Sequence, residues 1–105
     1  MISSSNGGNI EIGNNVLIGP NVVLRASEHG FDNINRPIST QGHIGGSIII
    51  EDDVWIGINC VILPGINIGR GSVIAANSVV NKNIGSFEIW GGNPAKYLRS
   101  RSFID

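Results

Sequence analysis

Isoleucines recur at positions 50, 56, 62, 68 and 74, and Val80 continues the row, so every sixth residue of this stretch is apolar and branched. A second row runs two residues earlier through Ile48, Val54, Cys60, Ile66, Ser72 and Ser78. The same doublet occurs upstream as Ile10/Ile12, Val16/Ile18 and Val22/Leu24. A period of six fits neither a helix nor a hairpin. It predicts short parallel strands stacked into a β-helix, in which each strand leaves its face bare unless neighbours cover it above and below.

Because side chains alternate along a strand, each doublet shares one face, taken as the inward one. Three hexads per triangular coil give three interior walls. Wall one is Ile10, Ile12, Ile48, Ile50, Ile66 and Ile68; wall two is Val16, Ile18, Val54, Ile56, Ser72 and Ile74; wall three is Val22, Leu24, Cys60, Ile62, Ser78 and Val80. The whole chain then reads as one domain: a coil at 10–27, an inserted loop at 28–47, coils at 48–83 and a terminal segment at 84–105. The insertion falls between complete coils, so the phase survives it. Gly13, Gly19, Gly57 and Gly69 mark corners that need either a small residue or a positive φ. Between each inward pair lies an outward residue. On wall two these are Leu17, Trp55 and Val73, and on wall three Val23, Val61 and Val79. Two apolar outward columns predict a subunit interface. Wall one carries Glu11, Ile49 and Asn67 there and is expected to be more solvated. After Asn83 the period stops. Residues 84–92 read as an irregular crossing with a short strand, and Asn93 as N-cap with Pro94 at the first helical position predicts a short helix to about Ser100.

Composition narrows the function classes. Charged residues are 14% of the 105, glycines number 15 and the net charge is -1, which suits a repetitive β scaffold and gives no basic field for nucleic acid. The lone Cys60 excludes an internal disulfide, which is compatible with a reducing cytoplasm. No signal peptide and no membrane span is read from the sequence.

Three features together carry a resemblance: hexads with one looped insertion, the run Ile-Gly-Gly-Ser-Ile-Ile-Ile-Glu-Asp-Asp-Val-Trp-Ile-Gly, and Gly-Asn-Pro-Ala-Lys-x-x-Arg. The chain resembles the hexapeptide-repeat acyltransferases, most closely the sugar O-acetyltransferases that act on maltose, galactosides and polysaccharides. The resemblance covers residues 10–99. It implies a left-handed parallel β-helix, a homotrimer with active sites at subunit boundaries, and acetyl-CoA as co-substrate. Members of this branch carry further coils before the point at which this chain begins, and an asparagine that contacts the sugar would fall there.

The resemblance also implies roles. Acyl transfer to a hydroxyl needs a base, an oxyanion donor and a channel for the thioester carrier. His29, in Ser-Glu-His-Gly-Phe-Asp, matches the family's catalytic base, and imidazole suits that work near neutral pH. The Ile58 backbone N–H matches the oxyanion donor, which any side chain but proline permits. Ala76, Asn81, Lys82, Lys96 and Arg99 match cofactor-binding positions, with Asn81 replacing the family's Thr. Asp32 and Trp55 are candidates for the acceptor side. Asp32 or Glu28 could also orient the imidazole, and Trp55 could instead pack at the interface. His43 reads as a loop-packing or solvent histidine. Cys60 points inward and reads as an inert buried thiol. Two histidines cannot build a three-histidine zinc site, so no metal is expected.

The implied function is direct transfer of acetyl from acetyl-CoA to a sugar hydroxyl in a ternary complex, for polysaccharide biosynthesis in the cytoplasm. Acetylation of an antibiotic is one alternative. A remnant that keeps the fold without catalysis is another.

Overall fold

In the computed structural model the inward rows close into three flat walls; the structure describes residues 2–3 and 8–101. Residues 102–105 of the terminal segment lie outside the described residues. In chain order the strands are β1 (Ile2–Ser3), β2 (Ile10–Ile12), β3 (Leu17–Ile18), β4 (Val23–Arg25), β5 (Ser27–His29) and β6 (His43–Gly45). The coils continue with β7 (Ile48–Ile50), β8 (Trp55–Ile56), β9 (Val61–Ile62), β10 (Asn67–Ile68), β11 (Val73–Ile74) and β12 (Val79–Val80). The chain ends in β13 (Glu88–Gly92) and β14 (Ala95–Ser100).

Wall one is the parallel sheet β2-β7-β10, wall two begins β3-β8-β11, and wall three is β1-β4-β9-β12. The register is in phase throughout: Ile12 pairs with Ile50 and Ile50 with Ile68, while Ile18 pairs with Ile56 and Ile56 with Ile74. The side chains of Ile50, Ile56, Ile68 and Ile74 belong to one stacked core. Its upper end is open on two walls. Ile12 and Ile18 are 42% and 39% exposed, whereas Ile50 and Ile56 one coil on are 1% and 0% exposed. On wall three β1 pairs with β4, and Leu24 is fully buried.

The corners show which need the glycines meet. Gly57 has no positive φ. A Cβ there would stand 2.9 Å from the Ala76 nitrogen of the next coil, so the glycine serves close stacking. Positive φ occurs two residues later, at Asn15, Asn21, Asp53, Asn59 and Asn77. Asn and Asp tolerate that left-handed backbone better than other non-glycine residues. At the second edge Asn59 Nδ2 also donates to Asn77 Oδ1 at 3.2 Å.

Two inward serines sit in this apolar interior with no exposure. Each hydroxyl donates three residues back, Ser72 to Gly69 O at 2.7 Å and Ser78 to Ala75 O at 2.6 Å. Ser78 Oγ also accepts from Gly92 N–H at 3.0 Å, which ties the end of β13 to the third coil. Ser78→Ala should leave that N–H without its acceptor and cost about 1–3 kcal/mol. Urea unfolding should show a lower midpoint at an unchanged slope.

The expected helix at Pro94–Ser100 is absent; a hairpin stands in its place. β13 extends wall two by pairing parallel with β11, and β14 returns antiparallel along its outer edge. The reversal contains Gly92 at φ +109° and a cis Asn93–Pro94 peptide. A helix would have left the outer N–H and C=O groups of β13 without strand partners; β14 satisfies them. Trp90 and Tyr97 pair across the hairpin edge to face, with centroids 6.4 Å apart. Beyond β14, Arg101 Nη1 donates to Gly71 O at 2.8 Å and lies 3.6 Å from Asp53.

Candidate active site

The coil has three edges: the first joins wall one to wall two, the second wall two to wall three, and the third wall three to wall one. The candidate residues separate onto two of them. Trp55, Ile58 and Ala76 line one apolar cleft of about 530 Å³ along the second edge, together with Gly19, Pro20, Gly57, Val73, Ile74 and Ala75. Ile58 and Ala76 are 18 residues apart, one full coil, and so they stack. The Ile58 N–H makes no hydrogen bond among the described residues, while its carbonyl accepts from Asn77 N–H at 2.9 Å. Gly19 keeps the space beside that nitrogen clear, since a Cβ there would come within 2.9 Å of it. Sequence reasoning does not single out Pro20 for the cleft. Its signal is the corner phase it shares with Ile58.

Lys96 belongs to the same edge. It pairs with Gly91 across the hairpin, and a Cβ on Gly91 would lie 3.0 Å from the Ala75 methyl. Arg99 pairs with Ile89 further along β14, and its Nη1 donates to Ser100 O at 3.3 Å. Ile89 is in register with Val73, which is itself in register with Trp55. The outward column on wall two therefore runs Leu17, Trp55, Val73, Ile89, one residue longer than the hexad pattern indicates. Leu17 and Trp55 are 67% and 55% exposed.

His29, Asp32, Asn81 and Lys82 lie elsewhere. All four are exposed. Asn81 and Lys82 follow β12 at the third edge, from which the insertion also springs. The insertion is a hairpin, β5 against β6, closed at its base by Gly46 N–H donating to Ala26 O at 2.8 Å. Its tip is held by Gln41, which accepts from Asn33 N–H at 3.1 Å and donates to Asn33 O and Arg36 O at 2.8 and 2.9 Å. Asp32 makes no hydrogen bond among the described residues and does not orient an imidazole. Within one chain, then, wall three separates His29 from the cleft holding Ile58 and Ala76. Cys60 is fully buried, its Sγ 3.1 Å from Ala75 O. Among the described residues no group of three or more His, Cys, Asp or Glu side chains could hold a metal ion, and no helix is long and apolar enough to cross a membrane.

Residues 47–82 match the family model for the bacterial transferase hexapeptide, described as six repeats. The fold also matches the solved structure of a hexapeptide-repeat-containing acetyltransferase from Vibrio cholerae, 33% identical, with a TM-score of 0.76, covering 94% of this chain and 70% of that one. The chain belongs to the hexapeptide-repeat acyltransferase family. A galactoside acetyltransferase solved in complex with coenzyme A is 36% identical with a TM-score of 0.81, over 94% of this hexapeptide-repeat chain and 48% of that one. The shared fold is the left-handed parallel β-helix. A chloramphenicol acetyltransferase from Escherichia coli is 48% identical over 56 residues, 53% of this chain and 27% of its own length. This member of the family spans less than half the length of the first curated relatives that it matches.

Proposed function

We propose that the protein transfers acetyl from acetyl-CoA to a sugar hydroxyl as a homotrimer, with each active site built from two subunits. The observation that carries this reading is the unpartnered Ile58 N–H in the second-edge cleft, away from the one exposed loop that offers imidazole. The outward columns on walls two and three flank that second edge. Packing them against a neighbour would bring the neighbour's third edge, with His29, Asn81 and Lys82, to the cleft that holds Ile58 and Ala76.

In the reaction the imidazole of His29 takes the proton of the sugar hydroxyl as its oxygen attacks the thioester carbonyl carbon. The Ile58 N–H stabilises the resulting oxyanion. Collapse breaks the carbon–sulfur bond, and the departing CoA thiolate takes the proton back from the imidazolium. Trp55 and Asp32 face the acceptor. Ala75 and Ala76 leave room for the pantetheine arm beside the coil edge, where its amides can meet backbone groups. Lys82, Lys96 and Arg99 supply cations for the CoA phosphates, with Asn81 beside them. An acetyl-CoA donor suits a cytoplasmic enzyme, and a saccharide acceptor suits polysaccharide modification. Galactoside acetyltransferase similarity over nearly the whole chain favours a sugar over an antibiotic, since the chloramphenicol acetyltransferase likeness is confined to 56 residues.

Release of free CoA thiol from acetyl-CoA, followed across a panel of sugars and with chloramphenicol, tests the reading. Turnover with a sugar supports it. Turnover with chloramphenicol alone reassigns the acceptor, and no turnover with any acceptor leaves a scaffold without catalysis. The assembly has its own check. Light scattering should give a trimer mass, and Leu17→Asp, which places a charge in the outward column, should shift the mass toward that of a monomer with lower stability. A cooperatively folded wild-type monomer would overturn the trimer.

A further inference from the structure

His43 stands directly opposite His29 in the β5–β6 pair. The ladder hydrogen bonds of Gly30 N–H to Gly42 O and Gly46 N–H to Ala26 O, at 3.0 and 2.8 Å, fix which pairs along this hairpin exchange hydrogen bonds. Alternation makes His29 and His43 a non-hydrogen-bonded pair, the kind whose side chains lie closest and on one face. The two rings are in contact and tilted, with centroids 4.4 Å apart and planes inclined by 34°. Neither imidazole hydrogen-bonds another group among the described residues, and Asp32 and Glu28 do not reach them. Among the described residues the ring of His43 is thus a contact that limits how the His29 ring can turn in an otherwise exposed loop.

Resting on the proposed role of His29 as base, we infer that His43 is a positioning residue, whose ring holds the His29 imidazole in the orientation that receives the hydroxyl proton. A base free to rotate spends little time in a productive pose, and misplacement of a reacting group by about 1 Å can cost on the order of a hundredfold. The second histidine touches no reacting atom. It acts by ring contact, so any flat ring at position 43 should serve.

The test compares His43→Ala and His43→Phe in the full chain, with acetyl-CoA and an accepted sugar. The expected result is a kcat roughly tenfold to a hundredfold lower for His43→Ala, an unchanged KM for acetyl-CoA, and recovery of most of the loss in His43→Phe. Wild-type turnover in His43→Ala would overturn the inference, and so would a His43→Phe as impaired as His43→Ala, since that would require a polar role. Proton NMR of the His29 ring gives an independent readout. Its carbon-bound proton resonance should move when the neighbouring ring is deleted in His43→Ala and move less in His43→Phe. An unmoved resonance overturns the ring contact whether or not the chain turns over. If the resonance moves but no acceptor is acetylated, the reading of His29 as base has failed instead.

Discussion

His29→Ala should lower kcat for sugar acetylation by roughly two to four orders of magnitude, the usual contribution of a positioned general base, while acetyl-CoA still binds. The split between the two effects follows from the layout of the molecule. The residues proposed to hold the cofactor at the cleft, Ala76 and Lys96, sit along the second edge, on the far side of wall three from the His29 of the same chain. Removing an exposed loop imidazole takes nothing from the core, so the unfolding midpoint should stay where it is. The decisive measurement pairs CoA-thiol release with direct binding of acetyl-CoA. Undiminished turnover in the variant would move the base to another group, with His43 the first to try.

Ile56→Ala should destabilise the protein by about 2–5 kcal/mol, the range for truncating a fully buried isoleucine. Against a total stability on the order of 5–15 kcal/mol, this is a large fraction. Ile56 has no exposure and stacks between Ile18 and Ile74 in the wall-two ladder. The rigid backbone of a coil held on both sides cannot close over the gap. The same truncation one coil earlier, Ile18→Ala, should cost well under half as much, because Ile18 is already 39% exposed at the open end. Denaturant unfolding at matched protomer concentration measures both. Equal losses would mean that the open end is covered in solution by something that buries Ile18.

The interior of this fold is legible in the sequence because its period is set by contacts that repeat. Each of Ile10, Ile48 and Ile66 makes the same choice as the residue one coil away, and all three walls come out as the hexads assign them. What depends on a unique neighbour is not written locally. Asn93-Pro94 is good N-cap chemistry and equally good reverse-turn chemistry; the open edge of β13, which pairs with β11 of the preceding coil, selects the turn. The corner glycines could have served φ or space, and only the distance from Gly57 to Ala76 separates the two. Asn15, Asn21, Asn59 and Asn77 carried a readable signal of the left-handed corners, since they keep the hexad phase. For the candidate site, the shared cleft of Ile58 and Ala76 follows from their spacing of one coil. The contact of His29 with His43 does not, because the register of β5 on β6 is fixed by the hairpin base and not by any repeat.

The bond from Gly46 N–H to Ala26 O closes the insertion before it leaves the coil, so the two strands that bracket it never register how long it is. A one-residue length change inside a hexad throws the side chains that follow it to the wrong face. Between Gly30 and Gly42 that penalty vanishes. Residues can be added or lost there with all nine hexads still in step, which makes this tip a stretch whose length can change while the prism beneath stays as it is.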